Sequence, residues 1–264
     1  MPPTVDALPA LRRSHDQLRA IAGRLSGDEL TVRSYCRDWN RAQVFSHLGS
    51  GAEISLAGLR AGLGEGPEPD RQQIWARWNA LPPEEMARGF VEFDDQHLTA
   101  VERIDRARRE TLQVPFFLGP TPLAQVLVYR LHEHTLHNWD IRVSLDPPAT
   151  LLPEAVPLLL DLPPAMARWA LRPAGIELPG PVRLAIRTTG PQRHYRLVIS
   201  GEEADLQDAG TADPAEDATG VLEIPAEAFL RLVAGRLDPD HTPAGTRARG
   251  RPTLDELRAL FPGY

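Results

Sequence analysis

A glutamate and a histidine stand four residues apart in the segment Leu131–Asp140, which reads LHEHTLHNWD. On an α-helix, residues at this spacing project from one face, so Glu133 and His137 can bind one ion together. The metalloprotease pattern H-E-x-x-H starting at His132 would need a second histidine at position 136, where Leu136 stands. The spacing therefore predicts half of a helical metal site and excludes the metalloprotease pattern.

A third ligand must come from another helix. His47 is the best candidate because it follows Val44 on the inward line of the second predicted helix. His15 and His97 hold similar positions on the first and third helices and remain alternatives. Two histidines, a carboxylate and an open position are typical of a catalytic zinc site and equally of a non-haem iron site. The plain alternative is a Glu–His surface pair that holds no ion.

The remaining chemistry-bearing residues give weaker signals. His132 and His134 flank Glu133, and three roles are open for them: contacts that orient the metal ligands, contacts with the substrate, or exposed residues of the helix. Exposure is expected for His132. Cys36 has no activating partner nearby in the sequence and is expected to be an unreactive thiol. The five tryptophans are expected to be anchors of the hydrophobic core. A surface on which nucleic-acid bases stack would need a basic groove beside them, and the sequence predicts none. These tryptophans are Trp39, Trp75, Trp78, Trp139 and Trp169.

The composition narrows the class of protein. The chain has 264 residues, 42% of them hydrophobic, and its formal net charge of −7 argues against a nucleic-acid or anionic membrane partner. It has neither a run of 18 apolar residues nor the residue order of a signal peptide. With a single cysteine, it is expected to reside in a reducing cytoplasm. All 29 basic residues are arginine, which excludes Schiff-base and phosphate-loop lysines.

Hydrophobic spacing predicts four long helices over residues 1–148, and hence a four-helix bundle. The first helix ends near Gly27, and the second follows a capping pair, Asn40 and Gln43, and reaches about Leu63. The third runs from Glu84 to about Ala107, with Arg106–Arg109 at its end. The fourth starts with Thr121 as N-cap and Pro122 as its first residue, and reaches about Leu145.

Residues 149–264 differ from the first part of the chain in their pattern of prolines and apolar residues, and they predict a small α+β domain. The whole chain is therefore expected to be α+β with two domains. A proline-punctuated helix is followed by alternating apolar residues that predict a β-hairpin, then by a further strand and two helices. These segments are Pro153–Leu171, Val182–Ile199, Val221–Ile224, Pro225–Ala234 and Pro252–Phe261. The acidic stretch Gly201–Thr219 is expected to be a loop with a weak strand.

Three segments resemble the DinB-like, mycothiol-dependent maleylpyruvate isomerase family. Trp39–Leu48 (WNRAQVFSHL) is similar to the family's W-x-x-x-x-V-x-x-H-L helix start. Gly119–Pro122, followed by the charged residues of Arg130–Asp140, resembles its fourth helix. Leu230–Leu237 is similar to its L-x-x-L-x-x-G-R helix end, which implies a sterol-carrier-like second domain. The family occurs in actinobacteria, whose GC-rich genomes suit an arginine-only composition.

The resemblance implies a divalent metal, usually zinc, bound by His47, Glu133 and His137. It also implies a low-molecular-weight thiol such as mycothiol, whose thiolate adds to an activated double bond, allows rotation and leaves again. His134 and Asp140, beside the ligands, are expected to bind this thiol.

Substrate recognition is expected to come from the smaller domain. An arginine there would hold substrate carboxylates in a fork that lysine cannot imitate. Arg236 is the chosen residue, and Arg231, Arg247 and Arg249 compete with it.

The sequence thus predicts a metal-dependent, thiol-using isomerase or S-transferase acting on a small electrophilic, carboxylated substrate. The expected partners are this substrate and the thiol, in a monomer or homodimer. Two alternatives stay open: a non-catalytic protein that binds a structural metal and a small ligand, and iron-dependent oxygenation at the same three residues.

Overall fold

The computed structural model describes residues 6–117, 119–173, 180–201, 203–210, 215 and 217–263. The chain divides into two compact units, Met1–Ala155 and Val156–Tyr264. The first unit is built on helices and the second around a five-stranded sheet, which confirms the predicted α+β class. Within the described residues, no helix is both long enough and apolar enough to cross a membrane.

Four long helices of the first unit form the predicted bundle, in which α1 and α3 each pack against α5 and α7. The helices of this unit are α1 (Leu8–Ala22), α2 (Gly27–Leu30), α3 (Arg41–Gly62), α4 (Arg71–Asn79), α5 (Pro83–Glu102), α6 (Arg106–Thr111) and α7 (Leu123–Val143). The predicted capping pair is confirmed at the start of α3. The backbone N–H of Gln43 donates to the Asn40 side chain at 2.8 Å, and the Gln43 side chain accepts from the Asn40 N–H at 2.9 Å.

Three predicted boundaries of the first unit are wrong. The first long helix ends at Ala22 rather than near Gly27, because Ser26 caps a separate helix, α2, that begins at Gly27. The third long helix ends at Glu102 rather than near Ala107, because Asp105 caps a separate helix, α6, through the Arg108 N–H at 2.9 Å. Thr121 does not cap the fourth helix. Instead β2 (Gly119–Pro122) pairs antiparallel with β1 (Gln113–Phe116), and α7 begins only after it. Strand pairing here overrides the local Thr-Pro capping signal.

Close packing of α3 on α5 depends on Gly49. A Cβ atom at this position would lie 2.2 Å from the Trp78 ring and 3.0 Å from the Phe90 Cα. The Trp78 ring is itself fixed, since its Nε1 donates to Glu53 at 2.7 Å and only 2% of the residue is exposed. The absence of a side chain at Gly49 therefore sets how near the two helices approach, two residues from His47.

We expect G49A to destabilise the first unit by about 1–3 kcal/mol, the range for overpacked cores. The clash with a fixed indole exceeds the gain of up to about 1 kcal/mol from replacing a helical glycine. The free energy of urea unfolding, followed by tryptophan fluorescence, measures the effect. G66A is the matched control, because a Cβ at Gly66 meets no atom within 4 Å and should leave stability nearly unchanged.

The second unit contains a sheet of order β5-β4-β3-β6-β7, in which β3 and β6 are parallel and the other neighbours antiparallel. Its strands are β3 (Val182–Thr189), β4 (Arg193–Ser200), β5 (Glu203–Gly210), β6 (Gly220–Pro225) and β7 (Arg247–Gly250). The predicted hairpin is confirmed as β3–β4, and the weak strand of the acidic stretch is β5. Residues 202, 211–214 and 216 of that stretch lie outside the described residues.

Helices cover the apolar core of this sheet. They are α8 (Val156–Leu159), α9 (Pro163–Ala170), α10 (Ala226–Val233) and α11 (Leu254–Leu260). The single helix predicted over Pro153–Leu171 is wrong: the segment forms α8 and α9, and α9 begins at Pro163 because a proline is accommodated at the start of a helix and not in its interior. Tyr195 and Phe229 meet in the core with ring centroids 4.7 Å apart. Of the tryptophans expected to anchor a core, Trp78 and Trp139 are buried as predicted, whereas Trp169 on α9 is 62% exposed and the prediction is wrong there.

Candidate metal centre

The structure brings together the three side chains predicted to bind a metal. Nε2 of His47, on α3, lies 2.9 Å from Oε2 of Glu133, on α7. Nε2 of His137, one turn further along α7, lies 3.7 Å from the same oxygen. The three residues each offer one ligand atom, all within 4.8 Å of one another. This donor set, with two imidazoles and one carboxylate, fits a divalent transition metal.

The centre is open on one side. The His47 and Glu133 side chains are 37% and 36% exposed, whereas that of His137 is 8% exposed. A small molecule can therefore approach from the side of His47 and Glu133, while His137 forms the inner wall. Three protein ligands with access from solvent are typical of catalytic metal sites, since structural sites are closed by a fourth ligand.

Asp140 fixes the orientation of His137. Its Oδ2 lies 2.8 Å from Nδ1 of the ring, and the residue is fully buried. This contact turns Nε2, the other ring nitrogen, toward Glu133. A carboxylate behind a histidine ligand fixes the ring tautomer and raises ligand basicity. Asp140 was predicted to bind the thiol; that role stays a prediction, and the described contact is with His137.

Trp39 packs against both histidines of the centre. Its ring centroid lies 5.0 Å from that of His47 and 5.7 Å from that of His137. The loop that carries it is tied to α7, because the Tyr35 N–H donates to the Asp140 carbonyl at 3.1 Å. Trp39 is thus a wall of the centre as well as a residue packed against the bundle core, a role that its spacing in the sequence did not reveal.

The Glu133 carboxylate is held in its ionised form. The surrounding protein on its own raises its pKa, but hydrogen bonds with His132 and His47 and the charge of His137 outweigh this effect, and the pKa lies well below its usual value. Nδ1 of His132 lies 3.7 Å from Oε1. His132 is only 7% exposed, so the expectation of an exposed residue is wrong: α7 is surrounded by protein on nearly all sides.

Cys36 lies at the inner edge of the centre. Its Sγ and one ligand atom each of His137 and Asp140 lie within 4.8 Å of one another, which makes a second group of possible ligands that shares His137. Sequence spacing gave no sign of this proximity, because Cys36 and His137 are 101 positions apart in the chain.

His134 belongs to a different cluster. It is fully buried, and its Nε2 lies 3.1 Å from Oδ1 of Asp94 on α5. His15, one of the alternatives for the third ligand, lies 2.9 Å from Oδ2 of the same carboxylate. His97, the other alternative, is fully buried and has no hydrogen-bond partner for either ring nitrogen among the described residues. Of these three histidines, His47 is the one that lies beside Glu133 and His137 among the described residues. Its role as a metal ligand and the assignment of His134 to the thiol stay predictions.

The Asp94 carboxylate is ionised within the core. Burial alone raises its pKa, but His134, His15 and Arg130 together lower the pKa by more than burial raises it. The pKa therefore lies well below its usual value. Asp94 was not among the predicted site residues, although it lies four residues after Phe90 and three before His97, on the inward line of the third predicted helix.

A known family model covers both helices of the centre. Residues 11–142 match the family model described as the mycothiol maleylpyruvate isomerase N-terminal domain. The chain belongs to the mycothiol-dependent maleylpyruvate isomerase family. Membership confirms the resemblance inferred from the motifs and the prediction of an enzyme, and it supports the isomerase alternative. No curated protein matches the chain significantly.

Solved structures of other proteins are similar in fold to this member of the maleylpyruvate isomerase family over both of its units. A crystal structure of mycothiol-dependent maleylpyruvate isomerase matches with a TM-score of 0.60 and 18% identity, over 98% of this chain and 95% of that chain. A crystal structure of a histidine-to-alanine mutant of such an enzyme matches with a TM-score of 0.61 and 17% identity, over the same shares of both chains.

Arg236, predicted to hold the substrate, lies after α10 in the second unit. It is 7% exposed, and its Nη1 donates to the Ala234 carbonyl at 2.9 Å. Its competitor Arg231 is 2% exposed and makes a two-bond pair with Glu227, at 2.7 and 2.9 Å. Arg231 therefore has a structural partner for both edges of its fork, whereas the role of Arg236 toward the substrate stays a prediction.

Proposed function

We propose that this chain is a metal-dependent isomerase that uses a low-molecular-weight thiol of the mycothiol type. His47, Glu133 and His137 would hold the divalent metal, with zinc as the expected ion. The observation that carries the proposal is the convergence of these three ligand atoms within 4.8 Å, on two helices that both lie in the family match.

The residues of the centre have separate tasks in this proposal. A metal in the centre lowers the pKa of a bound thiol, and reversible addition of that thiol to an activated double bond is the chemistry that permits isomerisation. Glu133 supplies negative charge to the metal, and Asp140 orients His137 from behind. His134 and Asp140 are fully buried, so each would affect the thiol through its neighbours, Asp140 through His137. Trp39 covers one side of both imidazoles and limits water there.

The substrate is proposed to be a small electrophile that carries carboxylates. The relatives with solved structures are named for maleylpyruvate, a compound with an activated double bond. The arginine fork at Arg236 is the proposed carboxylate contact. The proposed partners of the chain are therefore this substrate and the thiol.

Elemental analysis and a thiol titration test the proposal. Protein purified without added metal should contain one zinc ion per chain, and calorimetry should detect mycothiol binding that a chelator abolishes and added zinc restores. Thiol binding that persists after complete metal removal would contradict the proposal. Iron in place of zinc would favour oxygenation at the same three residues.

For Arg236, we expect R236K to raise the KM for a dicarboxylate substrate by about 10-fold or more, because an ammonium group cannot reproduce the bidentate fork. Steady-state kinetics at saturating thiol measure the effect, and near-UV circular dichroism checks the fold. R183K is the matched control, since Arg183 on β3 is exposed and is not a candidate for the substrate contact. An unchanged KM in R236K, or an equal rise in R183K, would remove Arg236 from the substrate site.

A further inference from the structure

A single buried carboxylate connects the four long helices of the bundle. Oδ1 of Asp94, on α5, accepts a hydrogen bond from Nη2 of Arg130 at 2.8 Å and lies 3.1 Å from Nε2 of His134, both on α7. Its Oδ2 lies 2.9 Å from Nδ1 of His15, on α1. The same Arg130 nitrogen donates to the backbone carbonyl of Leu48, on α3, at 2.7 Å. Asp94 is 0% exposed and Arg130 is 6% exposed.

This network touches both ligand-bearing helices immediately beside their ligands. Leu48 directly follows His47, and His134 directly follows Glu133. Arg130 lies three residues before Glu133, which places it on an adjacent part of the same helix face. The contact from Arg130 to the Leu48 carbonyl therefore links the backbone of α3 at His47 to the segment of α7 that carries Glu133.

The packing of α3 leaves room for the guanidinium. A Cβ atom at Gly51 would lie 2.6 Å from Nη1 of Arg130. Any larger residue at Gly51 would push the guanidinium away from the Leu48 carbonyl. The Nε atom of Arg130 is buried without a hydrogen-bond partner among the described residues. The network therefore leaves one buried donor unsatisfied, and satisfying buried donors does not by itself explain it.

We propose that Asp94 is a positioning residue of the metal centre, which acts through Arg130 and His134 to fix the separation between His47 and Glu133. The inference rests on the proposed metal function of those ligands. A buried charged pair is weak support for stability by itself, whereas its loss on one side leaves an uncompensated charge. The pair has a further role here, because Asp94 holds the Arg130 guanidinium, and the same nitrogen of Arg130 joins α7 to the Leu48 carbonyl on α3, next to His47.

A purely structural role makes a different prediction. If Asp94 only stabilised the bundle, any variant of similar stability would bind metal equally well. Leu98 lies one turn further along α5 and is fully buried, but it is apolar and makes no bond to α3 or α7 through a polar atom. L98A is therefore the control for loss of stability without loss of the network.

The experiment is a cobalt(II) titration of the full-length chain after removal of bound metal, followed by visible absorption, with thermal unfolding measured in parallel. We expect D94N to bind cobalt up to about 10-fold more weakly than the wild type, with altered visible bands. This is the low end of the range for loss of a direct partner of a metal ligand, because Asp94 acts only through Arg130 and His134. L98A should keep the wild-type spectrum. If D94N does not fold, G51A gives the same test, with G58A on the same helix as its control, since a Cβ there meets its nearest atom only at 3.4 Å.

Each outcome decides the question. A weaker affinity and a changed spectrum in D94N or G51A, without the same change in L98A or G58A, support the positioning role. Wild-type affinity and bands in D94N and G51A overturn it while the proposed metal function stands, as does an equal loss in L98A. No cobalt binding by the wild type overturns the metal function, and this inference with it.

Discussion

E133Q is expected to lower the zinc affinity of the chain by more than about 100-fold. The amide keeps the size of the carboxylate but removes the charge shared by His47 and His137, whose Nε2 atoms lie 2.9 and 3.7 Å from Oε2. Loss of a residue that only supports a ligand costs about 10–100-fold in metal affinity, so loss of a charged ligand should exceed that range. Competition with a chromophoric chelator measures the dissociation constant.

Two further variants give this prediction its controls. D140N should weaken zinc binding within the range of about 10–100-fold, because it alters the contact behind Nδ1 of His137 and leaves the three proposed ligands unchanged. E92Q, at an exposed position on α5, should bind zinc as the wild type does. Wild-type zinc content in E133Q would show that Glu133 is not a ligand.

The stability of the first unit is expected to fall as the pH decreases from about 6.5 to about 3, in part because of His97. Burial lowers the pKa of His97 from 6.5 to about 3, with the charges of Arg130, His134 and Arg12 acting in the same direction and Asp94 against them. Between these values the unfolded chain binds a proton that the folded chain does not. The contribution of neutral His97 to the free energy of unfolding is therefore fully present above about pH 6.5. Below that pH, the contribution decreases by up to about 1.4 kcal/mol per pH unit.

H97L removes this titration, so its free energy of unfolding should decrease less steeply below pH 6.5 than that of the wild type. Urea unfolding at pH 7, 6, 5 and 4, followed by tryptophan fluorescence, gives both curves. Above pH 7 the difference between wild type and variant should be constant, which serves as the internal control. Parallel curves throughout the acidic range would refute the prediction.

The sequence was most informative where the chemistry and the helical period coincide. Glu133 and His137 stand four residues apart on one helix, so this pair could be proposed from the sequence alone, and the second-helix motif made His47 the best of three candidates for the third position. The choice of His47 over His15 and His97 needed the structure, because all three hold similar positions on their own helices. Only distance separates a ligand from a histidine of the Asp94 cluster.

Residues that act across long sequence separations could not be predicted. Asp94 is separated by 79 residues from His15 and by 36 from Arg130, and no local pattern links them. The exposure expected for His132 failed for a related reason. An amphipathic interpretation assumes one solvent-facing side, whereas α7 is buried nearly all around. The hairpin formed by β1 and β2 was missed because its second strand carries the residues of a helix start.

The fluorescence of Trp39 is expected to report on the state of the centre without an added label. Its indole lies within 6 Å of both imidazole rings, 5.0 Å from one and 5.7 Å from the other, and it belongs to a loop fastened to the backbone of Asp140. Indole emission responds to nearby charge, so an ion that replaces protons on these rings changes the light that Trp39 emits. The chain therefore carries an intrinsic optical probe of whether its two histidines are engaged.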